Sequence, residues 1–153
     1  MEVTLYQPQI PQNVGSIART CAATAIKLNL IRPFPFDISA KAVKRAGLDY
    51  WPLVQLEVFE SWEDYWKRNK DKNHWIIETC GSTSLFEVSL HLDDVFVFGK
   101  ETTGVSQEVI DCIGGNRVVF IPVLKNTVRS LNLSNCVAIA VYECLRQQEF
   151  VGF

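Results

Sequence analysis

The run Val95-Phe96-Val97-Phe98 contains no polar residue and ends on Gly99. Successive side chains of a strand point to opposite faces, so a run apolar at every position must be covered on both sides, as in sheets with helices front and back. Further β-rich segments lie at Val3–Tyr6, Lys27–Ile31, Val54–Phe59, His74–Thr79 and Arg117–Pro122. Helical stretches separate them. Asn13 can cap a helix through about Thr24, with Ile17, Cys21 and Thr24 on one face. Ser39–Ala46 reads as a short helix closed by Gly47. Ser61-Trp62-Glu63-Asp64 starts another through about Asn69, and Ser106–Ile113 stops at Gly114-Gly115. Leu133–Gln147 carries the apolar stripe Leu133, Val137, Ala140, Val141, Cys144, Leu145. This alternation predicts an α/β fold: a mainly parallel sheet with helices on both faces.

The 153 residues, 48% hydrophobic and 21% charged, suit one domain spanning 1–153 with a real core. No apolar run approaches the ~18 residues of a membrane span. The opening Met-Glu-Val-Thr-Leu-Tyr lacks the basic region of a signal peptide, so a cytoplasmic protein without membrane contact is expected. Five cysteines at wide spacings form no C-x-x-C pair, and His74 and His91 are far apart. Neither a disulfide framework nor a metal site is expected. The net charge of −2 argues against a bulk electrostatic grip on nucleic acid. Any RNA binding must use local patches, or a patch doubled by dimerisation.

Several common enzyme signatures are missing. There is no G-x-x-x-x-G-K-[ST], no G-x-G-x-x-G after the first strand, no G-x-S-x-G and no H-E-x-x-H. Three polar clusters remain at strand ends, where open α/β sheets place ligands. The first is Pro8-Gln9-Ile10-Pro11-Gln12-Asn13-Val14-Gly15-Ser16-Ile17-Ala18-Arg19, readable also as a helix cap with a solvated arginine. The second is Phe98-Gly99-Lys100-Glu101-Thr102-Thr103-Gly104, where Gly99 would let a ligand approach the backbone, or a tight turn would simply expose an acid. The third runs from Ile121-Pro122 to Arg129-Ser130-Leu131-Asn132-Leu133-Ser134-Asn135 and enters the last helix, where caps explain one or two of its polar residues.

In order and spacing these clusters resemble the motifs of the SPOUT RNA methyltransferases. The resemblance is nearest to the small bacterial branch that methylates the 2′-oxygen of the tRNA wobble ribose, cytidine or uridine 34. The clusters are similar to that branch's P-x-x-P-x-N-x-G-x-x-x-R, F-G-x-E-x-x-G and S-[LM]-N-L-S-N-x-[VA]-x-x-x-V-Y-E, the last at Ser130–Glu143. Arg45-Ala46-Gly47-Leu48-Asp49-Tyr50 resembles a further segment of the branch, and the likeness spans nearly the whole chain.

The resemblance implies a C-terminal trefoil knot, a homodimer and S-adenosylmethionine bound by three loops: Ile77, Glu78 and Thr79; Gly99 and Glu101; and Ile121, Ser130 and Leu131. It implies that Arg19 activates the ribose hydroxyl. Arginine stays protonated, so stabilising a developing alkoxide is the easier chemistry. Asn13, Ser130 and Asn132 would position the reacting groups, and Glu101 would orient Arg19, within the chain or from a partner subunit. The substrate implied is the anticodon stem-loop of tRNA, with leucine isoacceptors foremost, and no metal is required. RNA contacts fall on Arg32, Lys41, Lys44 and Arg45, a stretch whose only acid is Asp37, with Tyr50 and Trp51 available to stack on bases or to pack in the core. Where the branch carries a Thr-Thr-Lys-Gly-like turn this chain has Glu78-Thr79-Cys80-Gly81, and Lys125 in the Val123–Val128 loop is the candidate to replace the missing lysine. The rivals are 2′-O-methylation of rRNA or another tRNA site, an inactive RNA-binding module of the same fold, and a flavodoxin-like or receiver domain. The absence of an acidic cluster in Pro8–Pro11 speaks against a receiver.

Overall fold

The computed structural model describes residues 1–45, 47–124 and 126–153, without the side chains of Ala40 and Lys44. Its seven strands form one sheet: β1 (Glu2–Tyr6), β2 (Lys27–Ile31), β3 (Leu56–Phe59), β4 (His74–Ile77), β5 (Thr83–Ser84), β6 (Val95–Phe98) and β7 (Val118–Phe120). The order across it is β3-β2-β1-β6-β4-β7-β5, and every pairing is parallel. The helices are α1 (Pro11–Thr24), α2 (Ala40–Arg45), α3 (Trp62–Asn69), α4 (Gln107–Ile113) and α5 (Leu133–Gln147).

Alternation along the strands divides the core in two. Val3 and Leu5 of β1, Leu28 and Leu30 of β2, and Phe96 and Phe98 of β6 pack with Val14, Ile17 and Cys21 of α1 and Val137, Val141 and Cys144 of α5. Tyr6, Ile31, Ile76, Val95 and Val97 face the other way, against Trp62 and Tyr65 of α3 and Val109 of α4. The α/β fold with a parallel sheet covered on both faces is therefore the one expected. At ~25 cal/mol per Å2, burial of each such aliphatic side chain contributes roughly 1.5–3 kcal/mol.

Most boundaries follow the sequence reading within two residues, but three features differ. Asn13 does not cap α1; the N-cap is Ile10, which offers no side-chain acceptor, and Pro11 occupies the first turn. The strand expected from Val54 starts only at Leu56, because Trp51–Leu53 forms a 3-10 turn whose end is closed by Val54 donating to the Trp51 carbonyl. β5 was not expected; Thr83 and Ser84 pair with β7 at the sheet edge, and a two-residue strand leaves no periodicity to read.

Polar residues interrupt the α3 face: Thr4, Asn29 and His74 are all buried. They share one hydrogen-bond network. Asn29 Nδ2 donates to Glu2 Oε2 at 2.9 Å and to Thr4 Oγ1 at 3.2 Å, and Thr4 donates to the Tyr65 hydroxyl at 3.1 Å. His74 Nδ1 lies 2.9 Å from the Lys72 carbonyl, which can only accept. The proton therefore sits on Nδ1, and the Tyr65 hydroxyl donates to the bare Nε2 at 3.0 Å. Burial holds the His74 pKa below its ordinary 6.5, consistent with an Nε2 that has no room for a second proton.

A histidine depressed in the folded state gives stability that is fully present above the unfolded value and lost as pH falls below it. Stability measured by urea melts should therefore drop between about pH 7 and 5. Glu2 responds lower: burial pushes it up, but its bonds to Lys72 and Asn29 outweigh burial and hold it below 4.5. A His74→Phe variant should be less stable throughout yet flatter across this interval; equal slopes for variant and wild type would remove His74 as the cause.

Candidate active site

Parallel pairing decides which loops meet. β1 and β6 are neighbours, with Leu5 opposite Phe98, so the chain leaving β1 at Gln7 runs beside the chain leaving β6 at Gly99. β4 flanks β6 on its other side, with Ile77 opposite Phe98, which brings Glu78 against the same loop. The three polar clusters of the sequence thus converge at one end of the sheet.

Glu101 is the meeting point. Its Oε2 accepts from the Gln9 amide at 2.8 Å, and its Oε1 accepts from the Ile10 amide at 3.1 Å and from Asn13 Nδ2 at 2.9 Å. Asn13 Oδ1 in turn accepts from Asn132 Nδ2 at 2.9 Å. Asn132 Oδ1 caps α5, accepting from the Ser134 amide at 2.9 Å and the Ser134 hydroxyl at 2.6 Å. A single relay, Glu101–Asn13–Asn132–Ser134, therefore fixes the second cluster to the first and the first to the third. Asn13 is buried within α1 because it serves this relay and not a cap.

Around the relay lies a cavity of about 570 Å3, within the ~300–1,000 Å3 usual for small-molecule sites. Every residue assigned to a cofactor by the sequence lines it: Ile77, Glu78, Thr79, Gly99, Glu101, Ile121, Ser130 and Leu131. Asn13 and Asn132 join them, as do Lys100, Gly104, Arg129 and Cys136, all four inside or beside the quoted motifs but given no role by the sequence. Gly99 sits at a tight turn, one of the two readings of its segment. A Cβ there would strike the backbone of Gly104 and Val105, so glycine lets the loop close on itself, where Lys100 and Gly104 exchange backbone hydrogen bonds at 3.1 and 2.9 Å. Glu78 Oε1 accepts from the Val105 amide at 2.9 Å. Burial pushes the Glu78 carboxyl above its ordinary value, against the lowering effect of bonds from the Val105 and Thr79 amides. Burial likewise raises the Cys136 thiol.

Arg19 stands elsewhere. It lines a second cavity of about 620 Å3 with Val14, Phe36, Ile38, Val43, Leu48 and Tyr50, on the far side of the first turn of α1. Its guanidinium lies 4.6 Å from the centroid of the Tyr50 ring. Glu101 does not orient it within the chain, since both Glu101 oxygens are engaged by the start of α1. Tyr50 is half-buried: Arg19 lies over one face of its ring, and its hydroxyl donates to the Gly15 carbonyl at 2.8 Å. Gly15 itself is not required for close approach, because a Cβ would make ordinary contacts of 3.8 Å with Leu48 and Tyr50. Of the basic residues, Arg32 pairs with Glu60 at 3.3 Å and lies over Phe34, while Lys41 and Arg45 are exposed on α2. The Lys44 side chain and all of Lys125 lie outside the described residues. Trp51 is half-buried and packs on the core. Among the described residues no cluster of His, Cys, Asp and Glu could hold a metal ion, and no helix is long and apolar enough to cross a membrane.

Comparison with known proteins fits this geometry. The SpoU rRNA Methylase family matches residues 1–142. A tRNA (cytidine(34)-2′-O)-methyltransferase of Methylovorus glucosotrophus is 40% identical over 151 residues, 99% of this chain and 97% of the relative. A solved chain from Bacillus anthracis superposes with a TM-score of 0.92 at 44% identity, covering 99% of this chain and 96% of that one. A structure concerned with 2-OH methylation of C/U34 on tRNA gives 0.87 at 39% identity, over 97% and 96%.

Hydrogen bonds to a charged acceptor contribute more than neutral ones, and Glu101 accepts from two amides and a side chain. Glu101→Ala should lower the unfolding free energy by about 2–3 kcal/mol in urea titrations, and Glu101→Gln by less. Thr102→Ala, which removes only the exposed 2.7 Å bond to Gln9, should stay within about 0.5 kcal/mol. Wild-type stability in Glu101→Ala would show that the relay does not hold the loops.

Proposed function

The chain belongs to the SpoU rRNA methylase family, and on that premise we propose that it transfers a methyl group from S-adenosylmethionine to the ribose 2′-oxygen of the wobble nucleotide, cytidine or uridine 34, of tRNA. One observation carries the reading: the cavity in which all three motifs meet around Glu101, Asn13 and Asn132.

The cavity suits such a cofactor. The strand ends Ile77, Phe98 and Ile121 offer an apolar wall for a purine, the loop from Gly99 to Gly104 brings backbone groups close, and Glu78 supplies a carboxylate for a cationic ligand. When bound, S-adenosylmethionine supplies a sulfonium-borne methyl group open to attack by an oxygen nucleophile. The protein's share is placement. The relay holds the start of α1 against the 99–105 loop and the start of α5, so Ser130 and Asn132 stand at fixed positions on the rim. In-line positioning of donor and acceptor supplies much of the rate in a transfer of this kind. Arg19 stabilises negative charge developing on the ribose oxygen and holds a neighbouring phosphate.

The reading includes a homodimer. Arg19 is outside the cavity of its own chain, so a partner is the means by which it reaches one. An exposed aromatic group at the end of α5 supports association: Tyr142, Phe150 and Phe153 are 48%, 40% and 67% exposed, with ring centroids 6.4 and 6.1 Å apart. The reading also includes the trefoil knot. It is supported by β7 entering between β4 and β5, which precede it in the chain, and by α5 returning to pack beside α1. RNA is held by Arg32, Lys41, Lys44 and Arg45, Tyr50 acts through Arg19, and the protein works in the cytoplasm on the anticodon stem-loop.

Single-turnover methylation of tRNA with nucleoside mapping tests the function: the methyl should appear on ribose 34, and transfer only to rRNA or to another tRNA position would overturn it. Arg19→Ala should slow transfer about 100- to 1000-fold while cofactor affinity stays near wild type, and Arg19→Lys should recover little. Mixing inactive Arg19→Ala with inactive Asn132→Ala should restore about a quarter of wild-type activity if each site of a two-fold dimer takes its arginine from the partner. No restoration would place Arg19 in its own chain's site.

A further inference from the structure

Glu78 is the one acid of the first cavity that the relay does not use. Sequence alone marks it as unusual, since the branch this chain resembles carries a threonine-rich turn here. Its carboxylate is held on a rigid seat. Val105 donates its amide to Oε1 at 2.9 Å, and a Cβ on Gly104, whose φ is +69°, would collide with the carboxylate. Glycine at 104 thus leaves the space that the carboxylate fills. The Thr79 amide also bears on the carboxylate, and Glu78 lines the cavity. Glu101 differs, because amides and Asn13 already occupy both its oxygens.

We propose that Glu78 recognises a positive centre of the bound cofactor and so sets which adenosyl ligands the cavity prefers. The inference rests on the function proposed above. A ribose diol is the competing partner for a carboxylate, but its hydroxyls are neutral donors and bring no compensating charge. A carboxylate in a partly desolvated wall is better matched by a cation, and burial that raises the carboxyl's pKa means the ionised form lacks compensating charge until one arrives. Among the described residues no lysine or arginine forms an ion pair with it. S-adenosylmethionine offers two positive centres, the sulfonium and the α-ammonium. Glu78 is a specificity-determining residue, and the reaction itself proceeds through other groups.

Calorimetric titration of wild type and Glu78→Gln with S-adenosylmethionine, S-adenosylhomocysteine and 5′-methylthioadenosine tests this. The first ligand carries both positive centres, the second only the ammonium, the third neither. Glutamine keeps an acceptor for Val105 and removes the charge. A loss of about tenfold for S-adenosylmethionine alone assigns the sulfonium. A similar loss for both amino-acid-bearing ligands, with methylthioadenosine unchanged, assigns the ammonium. Equal loss for all three, or no loss for any, overturns the proposal, since a role in shaping the loop or gripping the ribose makes no distinction by charge. Glu78→Thr, with a melting curve to confirm folding, serves as the second variant and should give the same selectivity. Failure of folded wild type to bind any of the three ligands would remove the functional reading, a result distinct from a change in selectivity.

Discussion

The carboxylate of Glu101 is the interaction on which the site depends. A helix begins with amide groups that have no partner within it, and a side chain at the N-cap usually satisfies one of them. Ile10 at that place cannot. A carboxylate from far along the chain takes over, accepting from the Gln9 and Ile10 amides just ahead of the helix and from Asn13 inside it. Its negative charge also sits where the dipole of α1 favours one. The start of α1 is therefore stable only when the loop after β6 is in place, and local structure at the site is conditional on the tertiary fold.

That condition is met because of strand order. β1, β2 and β3 run outward from β6 on one side, and β4, β7 and β5 on the other. The loops leaving β1, β6 and β4 therefore meet at one end of the sheet, the usual ligand position in an open α/β fold. The register that sets Leu5 and Ile77 on either side of Phe98 delivers the 7–10, 78–82 and 99–105 segments to that crevice together. Both faces of these strands are packed, which fixes the points from which the loops leave. The buried Thr4–Tyr65–His74 network lies on the α3 face of the same sheet and fixes α3 against β1 and β4 by directional bonds where β6 offers only apolar contact.

What sequence reveals and what it conceals follow from this. Apolar runs located β1, β2, β4, β6 and β7, and the stripe from Leu133 to Leu145 located α5, because burial on a repeating face leaves a periodic mark. The motif residues of the first cavity were legible for a different reason: Gly99, Glu101, Ser130 and Asn132 stand together in short segments that resemble a known family. Strand order was not legible, since pairing between segments leaves no local signature. Asn13 was read as a cap by a local rule, whereas a partner 88 residues away decides its role. Nothing in the neighbourhood of Tyr50 announces that Arg19, on another element, lies over its ring. Gly99 shows the same limit: its need for a bare backbone was visible, but the neighbour that requires it is the chain's own Gly104 and Val105.

Glu78 and Glu101 line the first cavity together with Lys100 and Arg129, and Arg19 lines the second together with Asp37, with the opening turn of α1 between the two. A cationic methyl donor and an anionic RNA backbone have opposite requirements. A single mixed pocket would let Arg19 pair with Glu101 and neutralise both, as the sequence reading had allowed. Instead Glu101 is satisfied by uncharged donors, and the planar guanidinium of Arg19 is held by the face of Tyr50, an interaction that uses no acid and leaves its N–H groups free for an anion. Tyr50 is in turn anchored to the Gly15 carbonyl, one turn back from Arg19 on the same helix. The helix thus presents an amide-bound acid on one side of its first turn and a ring-supported cation on the other.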